Sequence, residues 1–168
     1  MARALPVKPV APGPDQESVW DYPRPPRLER EVRPVRIEFD GRVVADSARA
    51  WRVLETSHPP TYYIPREDIA PEALRPAGGS SFCEWKGQAA YWDVMGKEQI
   101  ARKAAWSYPA PTAPFAEIAG AVAFFCAAMD ACSVDDAHAT PQPGGFYGGW
   151  ITPWVVGPFK GGPGSHGW

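Results

Sequence analysis

The dipeptide Asp40-Gly41 constrains the fold of this chain most, because it joins two runs of residues with strand character. In the run before it, "VRIEF", apolar residues alternate with charged ones, and the run after it is "RVVADS". Alternation with a period of two is typical of a half-buried strand, and Asp-Gly tolerates the positive φ angles of a type I′ turn. The sequence therefore predicts a β-hairpin over residues 35–47.

Strand character continues along the chain in short pieces. The runs "RAWRVLETS" and "TYYIP" predict two further strands, whereas "PREDIAPEAL" favours one or two helical turns. A short helix near residues 113–118 should lead into another strand, "AVAFF". A chain of 168 residues suits one domain. We expect a single, compact, mostly β domain, barrel-like or sandwich in form, with one or two short helices.

The two ends of the chain differ from its middle in composition. Residues 1–34 are rich in proline and predict an extended, polyproline-like N-terminal arm in preference to helix or sheet. Residues 35–140 form the expected β core domain. Residues 141–168 combine glycine and proline with many aromatic residues, which are rare in disordered chain. We expect this C-terminal arm to pack on the core.

Charge and hydropathy exclude several classes of partner. The chain has 17 Lys and Arg against 19 Asp and Glu, with no block of like charge, so no nucleic-acid footprint is indicated. No apolar run approaches the length of a membrane span, and no secretory h-region is seen. These features predict a cytoplasmic protein with no nucleic-acid or membrane partner. Three cysteines, an odd number, predict free thiols.

The segment "SFCEWKG" poses the main functional question. If it is a regular strand, alternation places Cys83 and Trp85 on one face and Glu84 and Lys86 on the other. That geometry would weaken any pairing of a Cys83 thiolate with the Lys86 cation. Gly87 then interrupts the strand pattern, as glycines do at bulges.

Cys83 is nevertheless the candidate nucleophile of the chain. A general base would have to come from elsewhere in the sequence, and only three imidazoles are present: His58, His138 and His166. The alternative is that Cys83 is buried as a small hydrophobe, as free cysteines often are. The sequence does not decide whether the protein is an enzyme.

A pocket for a small molecule accounts for more of the sequence. Such pockets combine apolar walls with a few fixed polar groups, and several amphipathic aromatics occur near a lysine and a glutamate. The candidate ligand-binding residues are Tyr63, Glu84, Trp85, Lys86, Tyr91, Trp106 and Tyr108. Taken singly, each aromatic is explained equally by a β core. Lys86 is harder to place in a core, because lysine is rarely buried without a partner.

No cofactor or metal is indicated by the motifs. Neither a Cys-x-x-Cys pair nor paired histidines are present, and there is no Walker-type loop.

Four segments in order carry a family resemblance: "TYYIPREDI", "CEWKGQAAYWDV", "KAAWSYPAP" and "AEIAGAVAFF". They resemble the domain-of-unknown-function family numbered 427, whose members share a Cys-x-Trp-Lys-Gly-x-Ala-x-Tyr core. The resemblance covers roughly residues 35–126. It implies a compact, mostly β domain without an established activity, in a family that carries a nucleotidyltransferase label.

The nucleotidyltransferase label is one alternative function. Metal-dependent nucleotidyl transfer uses a Gly-Ser element and two acids one residue apart. "GGSS" at 78–81 and Asp93 match in part, but Met95 stands where the second acid is needed. A third interpretation is an interaction protein whose arms wrap a neighbouring copy to form a homodimer.

Overall fold

The structure, a computed structural model, describes residues 7–168. This range forms short strands and 3-10 helices, so the predicted mostly β class is confirmed. The strands are β1 (Glu17–Ser18), β2 (Arg27–Arg30), β3 (Val35–Phe39), β4 (Arg42–Ser47), β5 (Trp51–Leu54), β6 (Thr61–Tyr63), β7 (Leu74–Cys83), β8 (Gly87–Met95), β9 (Ile100–Ser107), β10 (Val122–Phe124), β11 (Ala131–Val134), β12 (Ala137–His138), β13 (Thr140–Pro141), β14 (Trp150–Ile151) and β15 (Val155–Val156). The 3-10 helices are Val19–Asp21, Arg66–Asp68, Pro71–Ala73, Ala113–Ile118 and Cys126–Ala128.

The predicted hairpin is present as β3 and β4. Asp40 and Gly41 have φ angles of 47° and 72°, so both lie in the left-handed region that a type I′ turn requires. The two strands pair from Val35 with Ser47 to Phe39 with Arg42. The helical turns expected after Pro65 and near residues 113–118 are also present, each as 3-10 helix.

Several small sheets make up the domain, and they are not closed into a barrel. Two have four strands, in the orders β10-β9-β8-β7 and β12-β11-β3-β4, and a third has the order β2-β5-β6. Both four-stranded sheets contribute to one core, in which Ile37, Val94, Val122 and Val134 are fully buried. The alternate residues of β3 and β11 supply this core, as a period of two requires.

The segment before β3 takes part in the sheets. The expectation of polyproline-like chain is wrong for Arg27–Arg30, which pairs along its whole length with β5. Strand β1 pairs in parallel with β15, so the N-terminal and C-terminal segments contact each other. Trp20 donates a hydrogen bond from Nε1 to the oxygen of Pro158 at 2.8 Å, and Tyr22 is buried.

Arg52 of β5 joins these N-terminal strands electrostatically. Its side chain is only 8% exposed and contacts Glu17 of β1 at 2.8 Å and Glu29 of β2 at 2.6 Å. Tyr22 donates a further hydrogen bond to Glu17 at 2.9 Å. The guanidinium therefore holds two carboxylates from two different strands.

The C-terminal segment packs through Trp150, which is fully buried. Its indole Nε1 donates to the oxygen of Phe124 at 3.0 Å, and its ring lies 5.0 Å from that of Tyr62. All three cysteines are free, and Cys126 and Cys132 are buried. None of the helical turns between residues 7 and 168 has the length and apolar character needed to cross a bilayer.

Candidate functional site

The segment "SFCEWKG" is a hairpin end, and the expectation of a continuous strand through Lys86 is wrong. Strand β7 ends at Cys83, residues 84–86 form the turn, and Gly87 opens β8 directly opposite Cys83. Gly87 has a φ of 104°, a conformation that glycine adopts without strain. Thr112 donates its backbone N–H to the oxygen of Lys86 at 3.1 Å and fixes the turn. The turn brings Lys86 to the same cleft as Cys83, which a regular strand would not.

This cleft has a volume of about 440 Å³. Together with the imidazole of His58, six of the eight candidate nucleophile and ligand-binding residues line it: Tyr63, Cys83, Lys86, Tyr91, Trp106 and Tyr108. Glu84 and Trp85 do not line it. Glu84 is exposed in the turn, and Trp85 packs, half-buried, against the apolar cluster behind the cleft.

Strand register explains how β8 and β9 supply the aromatic floor of the cleft. Tyr91 and Trp106 are direct partners across the two strands, so their side chains project to the same face. Ala89 lies two residues before Tyr91 on β8 and shares that face, and Tyr108 follows directly after the end of β9 and also lines the cleft. The Trp106 ring packs against Phe125, with ring centroids 4.5 Å apart.

The hydroxyls of Tyr63 and Tyr108 remain protonated. Trp106 donates from Nε1 to the Tyr63 hydroxyl at 3.4 Å. Burial raises the pKa of Tyr63 well above its ordinary value. Burial also raises the pKa of Tyr108, and the adjacent Cys83 thiol raises it further. These hydroxyls are therefore neutral hydrogen-bonding groups in the cleft.

Lys86 is a cation among aromatic rings. Its Nζ lies 5.6 Å from the centroid of the Tyr108 ring and 5.8 Å from that of Phe115. Such positions give cation–π attraction. Among the ion pairs formed by residues 7–168, none involves Lys86. The cleft thus holds a positive charge that no carboxylate of the described chain neutralises directly.

The acid in the cleft, Glu55, is already partnered. It lies 3.4 Å from Nε2 of His58 and 3.4 Å from the guanidinium of Arg24. Burial alone would raise the pKa of Glu55, but the hydrogen bond with His58 and the charges of Arg24 and Lys86 hold it below its ordinary value. A second cation, Lys160, lines the cleft and donates to the oxygen of Trp168 at 2.9 Å. The cleft is positive overall.

Gln142 ties the C-terminal segment to the cleft. Its Nε2 donates to the oxygen of Lys160 at 2.8 Å, and its Oε1 accepts from the N–H of Gly149 at 3.1 Å. The same Nε2 lies 3.0 Å from Nδ1 of His58. Because Nε2 is a donor, we assign Nδ1 of His58 as the acceptor and place the imidazole hydrogen on Nε2, facing Glu55.

This wall of the cleft was missed by the sequence reasoning. Gln142, Tyr147 and Lys160 line the cleft beside residues of the β core. The density of aromatics after residue 141 indicated that the segment packs, but it carries no period that shows which side chains face inward.

The cleft does not provide Cys83 with a free imidazole. Both nitrogens of His58 are engaged, by Glu55 and Gln142, and His138 and His166 do not line the cleft. The Cys83 thiol is half-buried on the cleft wall. It lies close enough to the Tyr108 hydroxyl to raise the pKa of Tyr108. Its role as a nucleophile stays a prediction.

Of the residues considered for nucleotidyl transfer, Ser81 lines the cleft and the others lie elsewhere. Gly79 and Ser80 are exposed where the pairing of β7 with β8 shifts register. Asp93 is buried, and its carboxylate accepts from the N–H of Lys103 at 2.9 Å and contacts Arg75 at 3.3 Å. Within residues 7–168, no three His, Cys, Asp or Glu side chains come together to hold a metal ion. Asp93 is therefore occupied in joining strands.

The fold defines the class of the protein: a mostly β domain built from several small, open sheets. The family model described as "Domain of unknown function (DUF427)" and labelled NTP_transf_9 matches residues 27–135, and the chain belongs to this family. The resemblance noted in the sequence is thereby confirmed. None of the curated proteins matches this sequence. The matched residues include the floor of the cleft, whereas the wall formed by residues 142–160 lies beyond them.

Proposed function

We propose that this protein binds a small organic anion in the aromatic cleft, with the Lys86 ammonium holding the anionic group. The observation that carries the proposal is the position of Lys86, half-buried over two aromatic rings in a cleft and outside every ion pair of the described chain. A half-buried charge is partly desolvated, and a bound anion would supply it with a partner.

The size and walls of the cleft support a small-molecule ligand. Ligand sites typically enclose 300–1,000 Å³ and combine apolar walls with few polar groups. At about 440 Å³, the cleft falls in this range. Eight of its nineteen lining residues are aromatic, and its fixed polar groups include the Tyr63 and Tyr108 hydroxyls and the Cys83 thiol.

The charge of the cleft favours an anion over a cation. Aromatic rings beside a glutamate can also form a cage for an organic ammonium ion. Here, however, Glu55 is paired with Arg24 and His58, while Lys86 and Lys160 both line the cleft. A positively charged ligand would therefore meet two lysines and no available carboxylate, and it would be repelled.

The proposal is tested with two probes that share one ring and differ in charge, 2-naphthoate and 2-naphthamide. Isothermal titration calorimetry compares the wild-type protein with Lys86→Met, which keeps an apolar chain of similar length. A charge-assisted hydrogen bond contributes roughly 1.5–3 kcal/mol, so the variant should bind 2-naphthoate about 10- to 100-fold more weakly. Binding of 2-naphthamide should change little.

Lys97→Met is the matched control, since Lys97 is exposed and does not line the cleft. Circular dichroism and a thermal melt establish that both variants fold. Absence of 2-naphthoate binding to the wild-type protein would contradict the proposal. Equal weakening by the Lys86 and Lys97 substitutions would also contradict it, because the effect would then come from net charge alone.

A further inference from the structure

Two buried cysteines contact each other in the core that the four-stranded sheets share. Cys126 begins the 3-10 helix after β10, and Cys132 lies in β11. Both belong to one apolar cluster, and the Cys132 thiol donates a hydrogen bond to the Cys126 sulfur. Ala139 contacts both residues: its oxygen accepts from the Cys126 thiol at 3.5 Å, and its N–H donates to the oxygen of Cys132 at 2.8 Å. The two free thiols are therefore held side by side.

One thiol of this pair borders a second cavity, which has a volume of about 540 Å³. The cavity lies between the 3-10 helix Cys126–Ala128 and the loop that precedes β14, and Cys126 lines it whereas Cys132 does not. Cys126 is 9% exposed and Cys132 only 2%. A small solute in this cavity therefore reaches the Cys126 sulfur before that of Cys132.

The contact also makes the two thiols chemically unequal. The hydrogen bond from Cys132 lowers the pKa of Cys126, against the effect of burial. The same hydrogen bond, together with burial, raises the pKa of Cys132. The thiolate is the form of cysteine that attacks an oxidant, so Cys126 is the attacking sulfur and Cys132 the resolving one.

We propose that Cys126 and Cys132 form a redox-active pair that a hydroperoxide converts to a disulfide. The Cys126 sulfur attacks one oxygen of the hydroperoxide ROOH, the O–O bond breaks, and the remaining fragment takes the thiol proton and leaves as ROH. Cys126 is then a sulfenic acid. The Cys132 sulfur attacks the Cys126 sulfur, the S–O bond breaks, and the hydroxyl group leaves as water with the Cys132 proton. The two thiols lose two electrons in total, and the hydroperoxide gains both.

The test treats the reduced full chain with hydrogen peroxide, a probe small enough for a sulfur with little exposure. After catalase removes the excess, the protein is unfolded in the presence of N-ethylmaleimide and its peptides are mapped by mass spectrometry. A disulfide between Cys126 and Cys132 should appear, with both thiols lost together, and dithiothreitol should restore them. Cys83 is the internal control: it packs against a different apolar cluster, so it should be absent from the disulfide.

Two serine variants separate the roles of the pair. In Cys132→Ser, oxidation should stop at the sulfenic acid of Cys126, which dimedone labels. In Cys126→Ser, Cys132 should stay reduced, because it does not line the cavity. Thermal melts check that both variants fold, and if either does not, the peptide map of the wild-type protein decides alone.

The inference is overturned if peroxide leaves Cys126 and Cys132 reduced in the folded wild-type protein. It is also overturned if their disulfide forms only after unfolding in urea, or if Cys83 takes the place of either cysteine. Oxidation of Cys132 in folded Cys126→Ser at the wild-type rate would refute the assignment of Cys126 as the attacking sulfur.

Discussion

Replacement of Arg52 by methionine should weaken the attachment of the N-terminal strands to the domain and lower stability. The guanidinium makes hydrogen bonds of 2.6–3.2 Å to Glu29 and of 2.8 and 3.1 Å to Glu17. Methionine retains the buried apolar chain but removes the arginine from both carboxylates, so that Glu17 keeps its contact with Tyr22 and Glu29 its contact with Arg27. The perturbation therefore isolates the charge contacts from the packing of the side chain.

The magnitude follows from burial. Breaking a buried ion pair by removing one partner costs about 3–5 kcal/mol. The two carboxylates here are 43% and 39% exposed, so water can solvate them once the arginine is gone. We therefore expect a loss of about 2–3 kcal/mol, less than for a fully buried pair. For a domain of this size, that corresponds to a decrease in Tm of roughly 5–10 °C.

Arg36→Met is the matched control. Arg36 also contacts two carboxylates, those of Glu38 and Asp46, but its side chain is 45% exposed. Exposed pairs of this kind contribute less than about 1 kcal/mol. Urea denaturation and differential scanning calorimetry measure both variants. Equal unfolding midpoints for Arg52→Met and Arg36→Met would refute the reasoning from burial.

The pH dependence supplies a second readout of the same contact. Burial alone would raise the pKa of Glu17, and the hydrogen bonds and charge of Arg52 overcome this and hold it below its ordinary value of 4.5. A lowered pKa contributes stability that is present above that ordinary value and is lost as pH falls through the folded pKa. The stability difference between wild type and Arg52→Met should therefore shrink as the pH falls below about 4.5.

Three further outcomes are expected. Iodoacetamide should label Cys83 faster than the two buried cysteines, and 2-naphthoate should slow the labelling of Cys83. Peptide mass spectrometry measures both rates, and equal labelling of all three cysteines would contradict the cleft position of this thiol. Gly148→Ala should weaken 2-naphthoate binding and lower the free energy of unfolding by about 1–3 kcal/mol, because a Cβ at this position collides with the buried Trp106 ring. Gly162→Ala is the control, since a Cβ there meets open space. Burial raises the pKa of Tyr63 above its ordinary value of 10.0, so the unfolded chain loses this proton at a lower pH than the folded protein does. The corresponding stability should therefore be present below pH 10.0 and be lost as the pH rises above it. Tyrosinate absorbance and circular dichroism, followed together as the pH rises, check this. Tyr63→Phe should reduce the part of the absorbance change that accompanies unfolding at high pH. Full ionisation of all tyrosines without unfolding would contradict the prediction.

The cleft itself shows how far local patterns predict a site. Tyr91, Trp106 and Tyr108 are amphipathic aromatics near a lysine in the sequence. The register of β8 and β9 places Tyr91 and Trp106 on one face, and Tyr108, just beyond β9, lines the same cleft. Strand alternation failed at Lys86, because a three-residue turn replaces the strand after Cys83. A period of two holds only while the strand continues, and Gly87 marked its interruption without fixing its position.

The C-terminal wall could not be predicted in the same way. Gln142 and Lys160 are 18 positions apart and meet through one hydrogen bond, which no periodic pattern encodes. The contacts of Gln142 with His58 likewise join segments 84 residues apart. Such contacts depend on the path of an irregular chain, so sequence showed only that this segment contains aromatic residues in need of burial.

The amino-acid sequence alone determined the elements whose cause is local. Asp40-Gly41 dictated a type I′ hairpin, prolines and glycines kept the helices short, and the four ordered segments indicated the family. Tertiary structure decided which residues share a cleft and which charges are paired. Burial and ion pairing depend on what the rest of the chain brings within a few ångströms, and that is why Lys86 without a carboxylate partner became visible only in the folded protein.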